Sequence, residues 1–131
     1  MPLIIEPEAV GQIDVIAVAP DNDWSSWRGV PGEVIGRWSS DRVRVVLGLV
    51  ASLPAAEQMR CFVPRYGIRL RAESLVLAEV AFCFRCRNAM VFPSEHTPQL
   101  PKWLTFDPDS PPAQELLRLF RACSPESTQQ M

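Results

Sequence analysis

The chain has 131 residues, 47% of them hydrophobic and 21% charged, the length of one domain and a composition far from that of a disordered chain. Its net charge of −2 supplies no overall drive toward nucleic acid or an anionic bilayer, whose recognition usually takes a basic domain or stripe. No stretch reaches the roughly 18 apolar residues of a membrane span, and the N-terminus lacks the basic, apolar and small-residue succession of a leader. A cytoplasmic protein is therefore expected. In that compartment the four cysteines, Cys61, Cys83, Cys86 and Cys123, are expected as thiols.

Thirteen prolines favour short elements joined by rigid turns. Residues 13–18 (Ile-Asp-Val-Ile-Ala-Val) are β-branched and bounded by Gly11 and Pro20, which predicts a buried strand. Residues 20–32 are dense in turn formers yet carry Trp24 and Trp27; two indoles in a polar loop either tuck back onto the core or form an exposed contact surface. A second strand follows over 32–38. Ser39 or Ser40 then caps a helix over 41–53, where Val43, Val46, Leu47 and Val50 recur at helical spacing.

Residues 60–63, 67–71, 75–84 and 88–92 read as four strands separated by connections so short that neighbours must be antiparallel. In the third, Val76, Ala78, Val80, Phe82 and Phe84 make one apolar face, and Leu75, Leu77, Glu79, Ala81 and Cys83 a mixed one; this strand is expected to be central. A last strand is read over 103–106. Ser110 and Pro111 then open a helix over 111–123, with Leu116, Leu117, Phe120 and Cys123 on one face. The expected fold is α+β: an antiparallel β-meander of four to six strands packed against two helices, one domain over 1–123 with a disordered tail over 124–131.

The chemistry-bearing pattern is Cys83-Phe84-Arg85-Cys86, whose spacing lets two sulfurs converge across a turn, as in half of many zinc sites and in dithiol redox pairs. A zinc reading would use Cys83 and Cys86, with His96, the single histidine, folding back from its proline-flanked loop. Cys61 is excluded by the simple meander: paired near Arg69, it would lie about 17 Å from Cys83 at roughly 3.3 Å per residue. Cys123 reads as a small core residue. For a redox pair, Arg85 and Arg87 would stabilise a thiolate at Cys86. No glycine-rich phosphate loop, Gly-x-Ser-x-Gly elbow or His-Glu-x-x-His motif is present, and no catalytic residue is assigned.

Charge is unevenly placed. Residues 1–34 hold six carboxylates against Arg28 alone, whereas residues 60–102 carry an excess of four positive charges. The plain reading is a solvent-facing sheet dotted with arginine and neutralised by the acidic N-terminal segment. The sharper one is a face for an acidic partner protein built on Arg69, Arg71, Arg85 and Arg87, or on the Trp24/Trp27 loop.

Cys61-Phe-Val-Pro-Arg-Tyr-Gly-Ile68, followed by Phe82-Cys-Phe-Arg-Cys86, resembles a pattern of uncharacterised bacterial proteins, Cys-Phe-x-Pro-Arg-His/Tyr-Gly-Ile, a strand, then Cys-Phe-x-Cys. The run Phe106-Asp-Pro-Asp-Ser-Pro111 before the last helix is similar as well. The resemblance implies one small sheet scaffold holding both turns and names no activity; Tyr66 stands where histidine is common, removing a potential metal ligand. The expected function is that of a non-enzymatic bacterial binding protein of the immunity or accessory kind, without a cofactor. The alternative is a cysteine-dependent zinc or thiol-redox protein.

Overall fold

Among the described residues six strands and two α-helices follow one another along the chain. They are β1 (Gln12–Val18), β2 (Gly32–Ser39), α1 (Asp41–Ser52), β3 (Tyr66–Ala72), β4 (Leu75–Cys83), β5 (Asn88–Pro93), β6 (Trp103–Thr105) and α2 (Pro111–Cys123). The structure is a computed structural model and describes residues 1–3, 5–21 and 23–123; the tail expected over 124–131 lies outside the described residues. The strands form one antiparallel sheet in the order β2-β1-β3-β4-β5-β6. β3, β4 and β5 are three of the four strands expected in the meander, β6 is the expected last strand, and β4 is an interior strand. The β1–β2 hairpin is joined to the meander through β1 and β3.

The period-two alternation of the strands divides the core in two. On one face Ile13, Val15, Ile68, Leu70, Val80, Phe82 and Val91 pack against the helices. α1 contributes Val43, Val46, Leu47 and Val50, the set marked by its spacing. α2 contributes Ala113, Leu116, Leu119 and Phe120, so its buried stripe is displaced from the expected one, and Leu117 and Cys123 sit half-buried at its margin. Each large side chain fully buried in this layer stabilises by about 1.5–3 kcal/mol. Between sheet and α2 the rings of Tyr66 and Phe120 stack with centroids 5.1 Å apart, and Phe82 and Phe84 close around Phe120.

Turn chemistry closes the elements. Ser40 stands before α1 but makes no side-chain capping bond. Before α2 the Ser110 hydroxyl donates to the Asp107 carbonyl at 2.7 Å, and the Ser110 carbonyl accepts the Gln114 N–H at 3.0 Å. Gly32 has φ +144, and a Cβ there would lie 2.0 Å from the Ala17 carbonyl oxygen, so only glycine fits beside β1.

Residues 60–63 are not a strand, contrary to the sequence reading. The place beside β3 is taken by β1, whose Asp14 pairs with Arg69. The chain from α1 instead passes the β6 edge, where the Pro54 carbonyl accepts the Asp107 N–H at 2.8 Å and the Ala56 N–H donates to Thr105 Oγ1 at 3.3 Å. This covers an otherwise open edge. It then crosses the second face of the sheet, where Phe62 is buried with Ile16, Val30, Ala81, Cys83, Cys86 and Met90.

Candidate functional site

The crossing of residues 56–65 brings Cys61 to the end of β4, with two consequences that correct the sequence reading. Cys61 is not remote from the Cys83–Cys86 turn, and the cysteines are not all thiols: Cys61 and Cys86 form a disulfide, with Cα atoms 5.6 Å apart. Cys83 and Cys123 are free. The turn after β4 closes through Arg87 at φ 64, which lets the chain enter β5. Within it the Cys86 N–H donates to Cys83 Sγ at 3.1 Å, and from the crossing segment the Val63 N–H donates to the same sulfur at 3.3 Å. Cys83 and Cys86 are both fully buried, whereas Cys61 is exposed. Asn88 fastens the crossing segment, donating from Nδ2 to the Cys61 carbonyl at 3.0 Å and toward that of Met59 at 3.4 Å.

His96 does not fold back to this turn. Its neighbour Thr97 donates from Oγ1 to the Leu77 carbonyl at 2.6 Å, six strand positions from Cys83 and so about 20 Å away at 3.3 Å per residue. The imidazole is half-exposed, 3.6 Å from Glu95. Among the described residues no group of three or more His, Cys, Asp or Glu side chains is arranged to hold a metal ion. The partial cluster expected from His96 with Cys83 and Cys86 is therefore not assembled.

The arginines expected on one partner-facing surface separate into two sets. Arg69 and Arg71 converge on Asp14, which is only 1% exposed: Arg71 Nε donates to it at 2.6 Å, Gln12 Nε2 donates at 2.9 Å, and Arg69 and Arg37 stand at 3.6 and 3.5 Å. Arg69 also faces Glu79 at 3.5 Å. Burial pushes the Asp14 carboxyl up, but the Arg71 and Gln12 hydrogen bonds with the charges of Arg71 and Arg69 outweigh it, leaving it below the ordinary value. This cluster is the neutralised sheet face of the plain reading, and its acid is Asp14 of β1.

Arg85 belongs to the second set. With Arg65 and Arg121 it rims a cleft of about 260 Å³ whose floor is Tyr66, Phe82, Phe84 and Leu117. All three arginines are exposed, and among the described residues none pairs with a carboxylate. Arg87 is exposed in the turn, and its carbonyl accepts the Phe106 N–H at 3.0 Å. Arg65 had a signal in the Pro-Arg-Tyr-Gly turn, whereas Arg121 had none, because a charged residue near a helix C-terminus is ordinary.

Trp24 and Trp27 tuck back rather than project. Both are half-buried over the second core; Trp24 meets Trp103 edge-on at 5.2 Å and Phe62 at 6.0 Å, and Trp27 Nε1 donates to Asp21 at 3.3 Å. With Asn88, Trp24, Phe62 and Trp103 line a shallow cavity of about 210 Å³ that Cys61 borders. No helix of the described residues is long and apolar enough to cross a membrane. Comparison with family models, with curated proteins and with solved structures finds no match to this chain.

Proposed function

We propose that this chain is a non-enzymatic binding protein, of the immunity or accessory kind, that takes an acidic segment of a partner protein in the cleft between β4 and α2. The observation that carries this reading is the set Arg65, Arg85 and Arg121, three exposed guanidinium groups that pair with no carboxylate among the described residues, around an aromatic floor. Guanidinium forks suit carboxylates, and the half-buried rings of Tyr66 and Phe84 give a partner's apolar side chains a place to be buried. Arg69 and Arg71 serve the fold through Asp14, so the partner face is drawn around Arg85 rather than along the whole sheet.

The test is fluorescence anisotropy with a labelled peptide alternating glutamate and phenylalanine, against a lysine-phenylalanine counterpart. Salt-sensitive binding of the acidic peptide alone is expected. Replacing all three arginines by glutamine removes rim pairs worth about 0.5 kcal/mol each and should weaken binding roughly tenfold. Equal binding of both peptides, or an affinity unmoved by the substitutions, defeats the proposal.

A further inference from the structure

The cysteine cluster has a component that a purely structural disulfide does not need. Cys61–Cys86 already ties the crossing segment to the β4–β5 turn. Yet a third sulfur, that of Cys83, lies between the two tied segments, receiving one N–H from each: Cys86 at 3.1 Å and Val63 at 3.3 Å. Cys83 and Cys86 also have the two-residue separation at which a disulfide of their own closes readily across a turn. Cys86 is thus bonded to one cysteine on the exposed crossing segment and, through its N–H, hydrogen-bonded to the sulfur of another buried in the strand.

We propose that Cys61, Cys83 and Cys86 form a thiol–disulfide exchange site in which Cys86 is the shared sulfur. Cys83 gives its proton to a water admitted as the β4–β5 turn opens and attacks Cys86 Sγ as a thiolate. The Cys83–Cys86 bond forms as the Cys61–Cys86 bond breaks, and the electron pair leaves on Cys61 Sγ, which takes up a proton. One disulfide and one thiol are present before and after, so no oxidant or reductant is consumed. What changes is the position of the free thiol. It moves from a buried strand to the exposed segment, beside the cavity lined by Trp24, Phe62 and Trp103. There Cys61 is open to an incoming organic disulfide, which it would attack to give a mixed disulfide and release a thiol. The asymmetry of exposure sets the direction of use: the Cys83 form stores the thiol and the Cys61 form presents it. This inference is independent of the cleft, and its test reads connectivity rather than binding.

The experiment uses the folded, oxidised full chain with Cys123→Ser, so that Cys83 is the remaining free thiol. It is treated with the aromatic disulfide dithionitrobenzoate at pH 8, followed by peptide mapping without reduction. The expected product carries the thionitrobenzoate adduct on Cys61 and a Cys83–Cys86 disulfide. In Cys83→Ser, which keeps an acceptor for both N–H groups, Cys61 should stay unlabelled and bonded to Cys86. In Cys61→Ser, oxidation with diamide should give the Cys83–Cys86 bond. The proposal is overturned by an adduct on Cys83, by no adduct on Cys61, by labelling of Cys61 in the Cys83→Ser protein, or by two free thiols in oxidised Cys61→Ser. Circular dichroism checks the fold of each variant, and where a second substitution unfolds the chain the connectivity mapped in Cys123→Ser decides alone.

Discussion

Replacing Asp14 by asparagine tests whether the buried carboxylate holds β1 between β2 and β3. The substitution keeps the shape of the side chain but removes its charge, and puts an amide donor against a site occupied by donors alone: Gln12 and three arginines. The Arg71 bond, at 2.6 Å to an atom group only 1% exposed, is a charge-assisted bond worth about 1.5–3 kcal/mol. Arg37 is 69% exposed and adds little, while Arg69 retains Glu79. A net loss of about 2–3 kcal/mol follows, or roughly 7–10 °C in Tm at the usual unfolding entropy per residue. Thermal and urea denaturation followed by circular dichroism measure it.

The pH dependence is a second arm of the same experiment. The folded Asp14 pKa is lowered, so its contribution is complete above the ordinary aspartate value of about 3.9 and is lost as pH falls through the lower folded value. The gap between native protein and Asp14→Asn should therefore be constant near neutrality and close in acid. A substitution that changes stability by less than 0.5 kcal/mol, or a gap that does not narrow as pH falls below the ordinary aspartate range, would refute the reasoning; the first outcome would mean that desolvation cancels the attraction of the arginines.

Two further outcomes rest on the second core. At Gly67 a Cβ would meet Val30 Cγ1 at 2.8 Å and the Val80 carbonyl oxygen at 2.9 Å, so Gly67→Ala should displace the 27–31 loop and cost about 1–3 kcal/mol, read as a lower urea midpoint with a red shift of tryptophan emission; an unshifted spectrum at native stability counts against it. Reducing Cys61–Cys86, which spans a sequence separation of 25, should cost about 3.5 kcal/mol by chain entropy, measured as the difference in urea midpoint between oxidised and reduced protein, and equal midpoints would mean that the crossing segment is held without it.

The strands that alternate cleanly were legible because period and burial coincide. β4 shows both of its faces in the sequence, and α1 declares its buried set through Val43, Val46, Leu47 and Val50. Residues 60–63 misled because an extended, apolar segment has the same local pattern whether it pairs with a neighbour or lies across a sheet with Phe62 as its anchor. That one misplacement carried through to Cys61, whose distance from Cys83 had been reckoned along a ladder that does not exist. The Asp14 cluster was hidden for a different reason. Its partners Arg69 and Arg71 lie more than fifty residues away in the chain, and a lone acid in a β-branched strand gives no sign of which distant strand will face it. Arg121 comes to the cleft only because α2 lies along β4.

Why the Cys83-Phe84-Arg85-Cys86 turn should carry both features follows from its geometry. Its end residues hold sulfur chemistry in the second core, with Cys83 and Cys86 fully buried, while its middle residues, Phe84 and Arg85, line the cleft on the helical side. The crossing segment divides its residues in the same way, giving Cys61 to the disulfide and Val63 and Arg65 to the cleft. Two segments thus meet twice, once through sulfur and once through the walls of the cleft. The middle of a four-residue turn cannot move independently of its ends, but Arg85→Gln changes only a side chain at the cleft and leaves the sulfur atoms in place. Cys83→Ser perturbs the proposed exchange with the guanidinium groups in place. The turn is therefore separable by side chain although it is not separable by backbone, and substitutions within it can assign each property to its own atoms.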